Sequence, residues 1–520
     1  MKKRKLPIGG IQTFSKLRNN YDVYVDKTAH IFEMATSYEA VLLARPRRFG
    51  KSLLCSTIES LFRGERELFE GLYIASKEWE WKEHPVISLE LASEDYTIDG
   101  TRSLEANIGF QLESVCEEYG IPVNHTDSIS VMFARTIREL YKKFGSVVVI
   151  IDEYDNPLTS TLDQPEINTQ MREKLKAFFS VLKQNDRYLR FVFVTGITKY
   201  AQIGMFSGSN QLCDISMLSR YCDICGITYD ELEKYFSPEI DTYAKLHGGK
   251  ASYLNELKRY YDGYYFTGDK VAVFNTFGLL NHFNSNGQFM PFWSMSGHPT
   301  LLQKYLEKED SDIVDVESAI INAGDFADFK DDTITLVPLL YQAGYLTISD
   351  YDETLGVYTL KFPNVEVRQT LAKFLSSSYS NTQRKLRDST SLRLVKSLIE
   401  GKPDDFLNLL KPYLARVDYS LSSKITEYYF EFAVSNIVNM LGLECRNEVH
   451  TANGRMDSVI FAGEYIYVFE FKVDKPVEDA LWQLEEKDYG LIYANSGKKL
   501  VEIGVVFSRE SRNIVEWSVR

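Results

Sequence analysis

Hydrophobic residues enter this chain in two ways: as short dense runs, and as longer stretches with an apolar position every third or fourth residue. Tyr38–Ala44, Pro85–Leu89, Ser146–Ile151 and Arg190–Thr195 are runs of the first kind. Their length and their Val, Ile, Leu and Phe content predict strands buried on both faces. Leu104–Tyr119, Ile129–Phe144 and Gln170–Gln184 have the second pattern and predict helices. Strands alternating with helices imply an α/β fold, a parallel sheet with helices on both faces. Asp214–Leu218 is expected to add a fifth strand.

After Thr228 the pattern turns helical and aromatic, as in Leu257–Phe266 (LKRYYDGYYF). Ile334–Val337, Tyr345–Ser349 and Gly356–Phe362 predict a few strands of a winged or small-sheet subdomain. Ser376–Thr390 is polar and Ser-rich and reads as a linker. Leu392–Tyr413 is helical again, and a last unit starts near Ser422. The expected division is 1–230, 231–375 (mainly helical), 376–421 (linker and helices) and 422–520.

Composition narrows the class. A formal charge of −14 argues against a protein that coats nucleic acid by general electrostatics. It leaves room for a local basic channel, since Arg384–Lys424 carries nine Lys or Arg against five acids. No apolar stretch is long enough to span a bilayer, and the basic start MKKRKLPIGG lacks the apolar region of a secretory signal. A cytoplasmic location is expected. Six scattered cysteines read as reduced thiols, and the Cys222/Cys225 CxxC lacks the further ligands of a zinc site.

Two segments carry chemistry. In Ala44–Ser52 (ARPRRFGKS), Gly50-Lys51-Ser52 supplies the second half of a Walker A loop. Backbone N–H groups from Arg47 through Phe49 and Gly50 to Leu53 would wrap phosphates at a helix start. Lys51 would reach the β- and γ-phosphates and Ser52 would hold Mg²⁺. Arg45 stands where the usual pattern has its first glycine, and Arg47 or Arg48 would add charge. Downstream, Val147–Glu153 is an apolar strand ending in two acids. Asp152 would orient the water shell of Mg²⁺ and Glu153 would activate the attacking water. Thr195 or Thr198, after the next strand, would sense the γ-phosphate; a helix cap explains such a hydroxyl equally well.

The second segment is a hairpin, Met456–Phe461 and Tyr465–Val473. Glu470 and Lys472 share one face of the second strand and interrupt an apolar run, so they need a partner, which Asp457 can supply. Asp457 and Glu470 binding Mg²⁺, with Lys472 orienting a water, would suit phosphodiester cleavage. An ion pair on a sheet edge accounts for the same residues equally well.

With these residues in view, the chain resembles the bacterial AAA-ATPase-like family. The resemblance rests on RPRRFGKS, Tyr24–Thr28 (YVDKT), Ile151–Asp155 (IDEYD) and Phe206–Ser216 (FSGSNQLCDIS). It implies a P-loop ATPase of the additional-strand class over residues 1 to about 230, in which the Arg-rich loop is the family's own. The C-terminal order of helix, hairpin, helix and strand resembles the PD-(D/E)xK nuclease superfamily. Gly454-Arg455-x-Asp457, Glu470-x-Lys472, Gln483 and Tyr489 match its pattern. It implies a further acid in the preceding helix, Glu427 with Glu431 as rival.

The expectation is therefore an ATP- and Mg²⁺-dependent ATPase coupled to a nuclease acting on nucleic acid, DNA ahead of RNA. The module pairing suggests defence or mobile-element processes. The alternative is a regulatory ATP switch whose C-terminal domain binds nucleic acid or a protein without cutting. A third class, an interaction protein with a purely structural triad, would leave no Mg²⁺-dependent cleavage. Oligomeric state is open.

Overall fold

The four dense runs form one parallel sheet in the computed structural model. Its strands are β1 (Ala40–Ala44), β2 (Val86–Glu90), β3 (Val147–Asp152), β4 (Leu189–Gly196) and β5 (Leu212–Asp214). They lie in the order β2-β3-β4-β1-β5, and every pairing is parallel. The strand inserted between β1 and β3 is what the additional-strand resemblance implies. The structure describes residues 4–8, 10–92, 94–199, 212–295, 319–322, 326, 336–378, 393–414, 434, 438, 443–451, 454–487, 489–493 and 496–520. Residues 206–211, most of the expected linker, Glu427 and Glu431 lie outside them. The chain divides into two compact units, Met1–Glu366 and Val367–Arg520.

β3 is buried along its whole length because helices cover both faces of the sheet. On one face, Leu42, Val149 and Ile151 pack against the helices Thr101–Tyr119, Ile129–Phe144 and Pro165–Gln184. On the other, the helix Lys51–Phe62 lies over the sheet, its Phe62 ring stacked on Phe191 at 5.4 Å. The Ile129–Phe144 helix starts where Ser128 accepts the Val131 N–H, and it stops at Gly145. Two residues of the Thr101–Tyr119 helix reach the outer edge of β2. The Gln111 amide exchanges hydrogen bonds with the N–H and carbonyl of Glu90, at 2.7 and 2.9 Å, and the Tyr119 hydroxyl bonds the Val86 nitrogen at 3.0 Å.

The fifth strand sits earlier than expected. It ends at Asp214, whose carboxylate takes the Ser216 N–H at 2.9 Å and pairs with Lys199 at 2.7 Å, turning the chain at Ile215. The central region is largely helical, with Tyr229–Tyr243, Lys250–Tyr261 and Thr276–Asn284. Leu336–Gln342, where a strand was expected from Ile334, is a helix, and it buries the adjacent residues Leu339 and Leu340. The strands that do form are the short antiparallel pair β6 (Ile227–Thr228) and β7 (Val273–Phe274), and β8 (Ile320–Asn322), β9 (Thr347–Asp352) and β10 (Val357–Lys361), an antiparallel sheet in the order β8-β10-β9.

The second unit is built on a sheet ordered β11 (Glu444–Thr451), β12 (Gly454–Ala462), β13 (Tyr465–Val473), β14 (Lys499–Ser508), β15 (Asn513–Val519). β12 and β13 form the expected hairpin; β13 and β14 run parallel across the helix Val477–Lys487. Period-2 alternation sorts β13 into two faces. Tyr467, Phe469 and Phe471 pack with Leu394, Leu398 and Phe406, from the segment between the expected linker and the last unit. Ile466 and Val468 pack under Leu484 and Tyr489. No helix among the described residues is long and apolar enough to cross a membrane.

Candidate functional site

β1 delivers the chain at Ala44 to a tight loop that opens the Lys51–Phe62 helix. Gly50 caps that helix at φ 92°, in the left-handed region that penalises a Cβ. Arg48 adopts φ 71° within the same loop. Arg45 does not face the loop's interior. Only 2% exposed, it donates to the carbonyls of Ala44, Ser216 and Tyr221 at 2.9, 2.7 and 2.9 Å, and lies 4.3 Å over the Phe266 ring. The position that carries glycine in the common pattern is here a buried anchor. Phe49 is likewise buried, edge-on to Tyr264 at 4.8 Å.

Lys51, 4% exposed, curls back so that Nζ donates to the Pro46 carbonyl at 3.2 Å. Ser52 hydrogen-bonds the Asp152 carboxylate, tying the helix start to the end of β3. Burial pushes Asp152 up to about 6 against the pull of Ser52 and Lys51, with Glu153 and Glu90 adding to the rise. Glu153 turns at φ 52° with its N–H on Asp152 Oδ1 at 3.0 Å.

A cavity of about 400 Å³ opens here, lined by Arg47, Arg48, Phe49, Gly50, Lys51, Ser52, Leu53 and Glu153. Seven of these were singled out for holding the nucleotide and Glu153 for activating the water, with Asp152 behind Ser52. The far wall was not foreseen. It is apolar and comes from distant segments, with Pro7, Val23, Tyr24, Ile227, Phe277 and Leu280 among its residues. The volume, and a lining that sets apolar residues beside the cations Lys51, Arg47 and Arg48, suit a small anionic ligand.

Thr195 lies apart from these residues. Its hydroxyl is fully buried and donates to the Leu43 carbonyl at 2.9 Å, and it is not part of the cavity wall. The Thr198 hydroxyl is spent on Asp155 at 2.7 Å. Asp155 itself was overlooked as a structural element. Its buried carboxylate also accepts the N–H groups of Ile197 and Thr198 at 3.1 and 2.7 Å, so it fastens the turn after β3 to the end of β4. The repeated acid in IDEYD was the available signal.

In the second unit, the hairpin brings Asp457, Glu470 and Lys472 together. The last β12–β13 pair is Ser458↔Phe469. Beyond it the Asp457 carboxylate, not a main-chain carbonyl, accepts the Phe471 N–H at 2.8 Å. Glu470 is 1% exposed and takes a hydrogen bond from Lys472 Nζ at 2.8 Å. Lys472 also donates to Gln483 of the Val477–Lys487 helix at 2.9 Å, and the Tyr489 hydroxyl donates to the Arg455 carbonyl at 2.7 Å. Among the described residues no group of three or more metal-ligating side chains occurs. Two carboxylates still fit Mg²⁺, which is commonly held by one or two of them together with water and substrate phosphate.

Known proteins resemble both units. Residues 7–206 match the AAA-ATPase-like family, described as predicted AAA-ATPase, and residues 425–517 match the PD-(D/E)XK nuclease superfamily. A protein of Azotobacter chroococcum mcd 1, described as the uncharacterized protein in the vnfD 5′ region, is 33% identical over 531 residues, covering 100% of this chain and 99% of its own. The solved ORC2 protein of Aeropyrum pernix, in ADPNP–ADP complexes, aligns at 10% identity with a TM-score of 0.25. That alignment covers 70% of this chain and 92% of the other, a likeness too slight to build on. The chain thus belongs to the AAA-ATPase-like family and carries a C-terminal domain of the PD-(D/E)XK nuclease superfamily.

Proposed function

We propose that the first unit binds and hydrolyses ATP and that this activity controls a Mg²⁺-dependent phosphodiesterase in the second unit, acting on nucleic acid with DNA ahead of RNA. What supports the reading is convergence: residues chosen for one chemistry from distant parts of the sequence meet at one cavity in the first unit and one strand pair in the second.

In the first unit, the N–H groups at the start of the Lys51–Phe62 helix and the Lys51 ammonium bind the β- and γ-phosphates. Ser52 and Asp152 hold Mg²⁺, Arg47 and Arg48 add positive charge at the cavity wall, and Glu153 accepts a proton from the attacking water. In the second unit, Asp457 and Glu470 hold Mg²⁺, and Lys472, fixed by Gln483, orients the water that attacks phosphorus. When bound at these residues, Mg²⁺ would neutralise phosphate charge and polarise the reacting oxygen.

One observation favours the non-cleaving alternative. Lys472 is already paired, to Glu470 and Gln483, as a purely structural ion pair would be. A cleavage assay separates the two. Purified protein is incubated with single- and double-stranded DNA and RNA, with Mg²⁺ or Mn²⁺, with and without ATP. Cleavage lost in Glu470→Ala while ATP hydrolysis persists supports the nuclease, and ATP hydrolysis lost in Lys51→Ala supports the ATPase. Wild-type protein that never cuts any of these substrates leaves the regulatory switch.

A further inference from the structure

The segments after Thr228 have so far supplied only apolar wall, yet one of their rings meets the phosphate-binding loop. The Arg48 guanidinium lies over the Phe277 ring, its Cζ 4.7 Å from the centroid, and both residues line the cavity. Arg48 has a left-handed backbone, φ 71°, which a residue with a side chain keeps only where its surroundings hold it. Its end also comes close to Gly10, where a Cβ would lie 3.7 Å from Nη1. An exposed arginine on a loop ordinarily spreads over many rotamers, and ordering it costs entropy. This one has a defined seat.

The seat is itself firmly held. Phe277 is the second residue of the Thr276–Asn284 helix, and the buried Asn275 caps that helix by accepting the Gly278 N–H at 2.9 Å. One turn on, the Asn281 side chain donates to the Phe277 carbonyl at 2.8 Å. The half-buried ring packs against the apolar cluster that contains Leu254, Phe274 and Leu280. The face of a phenyl ring is electron-rich, so it attracts a guanidinium and offers nothing to a phosphate. An effect of this ring on phosphate binding therefore reports on Arg48.

Resting on the ATP reading above, we propose that Phe277 is a positioning residue whose ring holds the Arg48 guanidinium at the cavity wall for the phosphates of the bound nucleotide. Stacking occupies the face of a guanidinium and none of its in-plane N–H donors, the groups that suit phosphate oxygens. The central, mainly helical region thereby takes part in nucleotide binding through a side chain that touches the cation and not the anion.

The test is calorimetric titration of the full chain with Mg²⁺ and tripolyphosphate, a probe with the phosphates and no base for Phe277 to touch. Arg48→Ala should lose roughly 10-fold in affinity, as expected for a charged donor. Phe277→Leu keeps an apolar side chain and removes the π face; it should lose about 2- to 5-fold, while Phe277→Tyr should bind as wild type does. In the Arg48→Ala background, Phe277→Leu should make no further difference. An equal loss in both backgrounds overturns the proposal, since the ring would then act without Arg48. Unchanged or tighter binding by Phe277→Leu overturns it too, as does a loss in Phe277→Tyr as large as that in Phe277→Leu. Failure of wild-type protein to bind tripolyphosphate would instead refute the phosphate site of the ATP reading, and the proposal with it.

Discussion

Asp457 accepts the Phe471 N–H at 2.8 Å, one residue past the last ladder pair between β12 and β13. The carboxylate therefore holds the hairpin closed at the place where it is expected to bind metal. Asp457→Asn keeps an oxygen acceptor and should retain near wild-type stability while losing Mg²⁺-dependent cleavage. Asp457→Ala should lose cleavage and also about 2 kcal/mol of stability. Urea unfolding of both variants beside the cleavage assay checks this, and equal stability of the two would refute the double role.

Arg45 occupies the position of the first glycine in the common loop pattern, so Arg45→Gly restores that pattern on paper. The variant should nonetheless bind ATP worse and be less stable by at least about 3 kcal/mol, because three buried carbonyls lose their donor and Phe266 its covering guanidinium. Thermal unfolding and ATP titration decide it. Tighter ATP binding in Arg45→Gly would show the anchor to be dispensable.

Gly196 leaves no room for a side chain. A Cβ there would strike Asp155 Oδ1 and come within 2.7 Å of the Tyr154 ring. Gly196→Ala should shift the turn bearing Glu153, costing about 1–3 kcal/mol and most of the ATP hydrolysis while Mg²⁺-dependent cleavage in the other unit survives. Retained hydrolysis would mean that the turn tolerates displacement.

Glu366 predicts a pH dependence of stability in the first unit. Burial pushes its carboxyl up to about 8, although it accepts the Trp293 N–H at 2.6 Å. The ordinary value is 4.5, so between those values the folded state holds a proton that the unfolded chain has released. Stability must therefore decline as pH rises through that window. Glu366→Gln keeps the acceptor and removes the titration. Its stability should be flatter with pH, and above about pH 8 it should exceed wild type by several kcal/mol at most. Urea midpoints from about pH 5 to about pH 9 test this; parallel slopes for the two proteins would exclude Glu366 as the source.

The parallel strands of the first unit and the placement of Lys51, Ser52, Asp152 and Glu153 were legible because dense apolar runs and their polar ends report on buried parallel strands. Asp457, Glu470 and Lys472 were legible because charge in an apolar strand demands a partner. Periodicity has no hold on a loop, so nothing indicated that Arg45 turns inward, whereas Arg47 and Arg48, expected to add charge at the phosphates, do line the cavity. The partner of the Thr195 hydroxyl was illegible for a related reason. A hydroxyl at a strand end is free to face a neighbouring strand, and Leu43 is the nearer acceptor. The apolar cavity wall was invisible because Val23, Ile227 and Phe277 meet only through long-range packing.

The two reaches of the Thr101–Tyr119 helix onto β2 bear on behaviour in solution. β2 is an outermost strand, and an uncovered outer strand offers its main chain as a template on which another polypeptide can add itself. Gln111 and Tyr119 occupy both ends of that template, at Glu90 and Val86. A strand adding itself on this side must first displace both side chains, which disfavours fibrous or swapped assembly of crowded copies there.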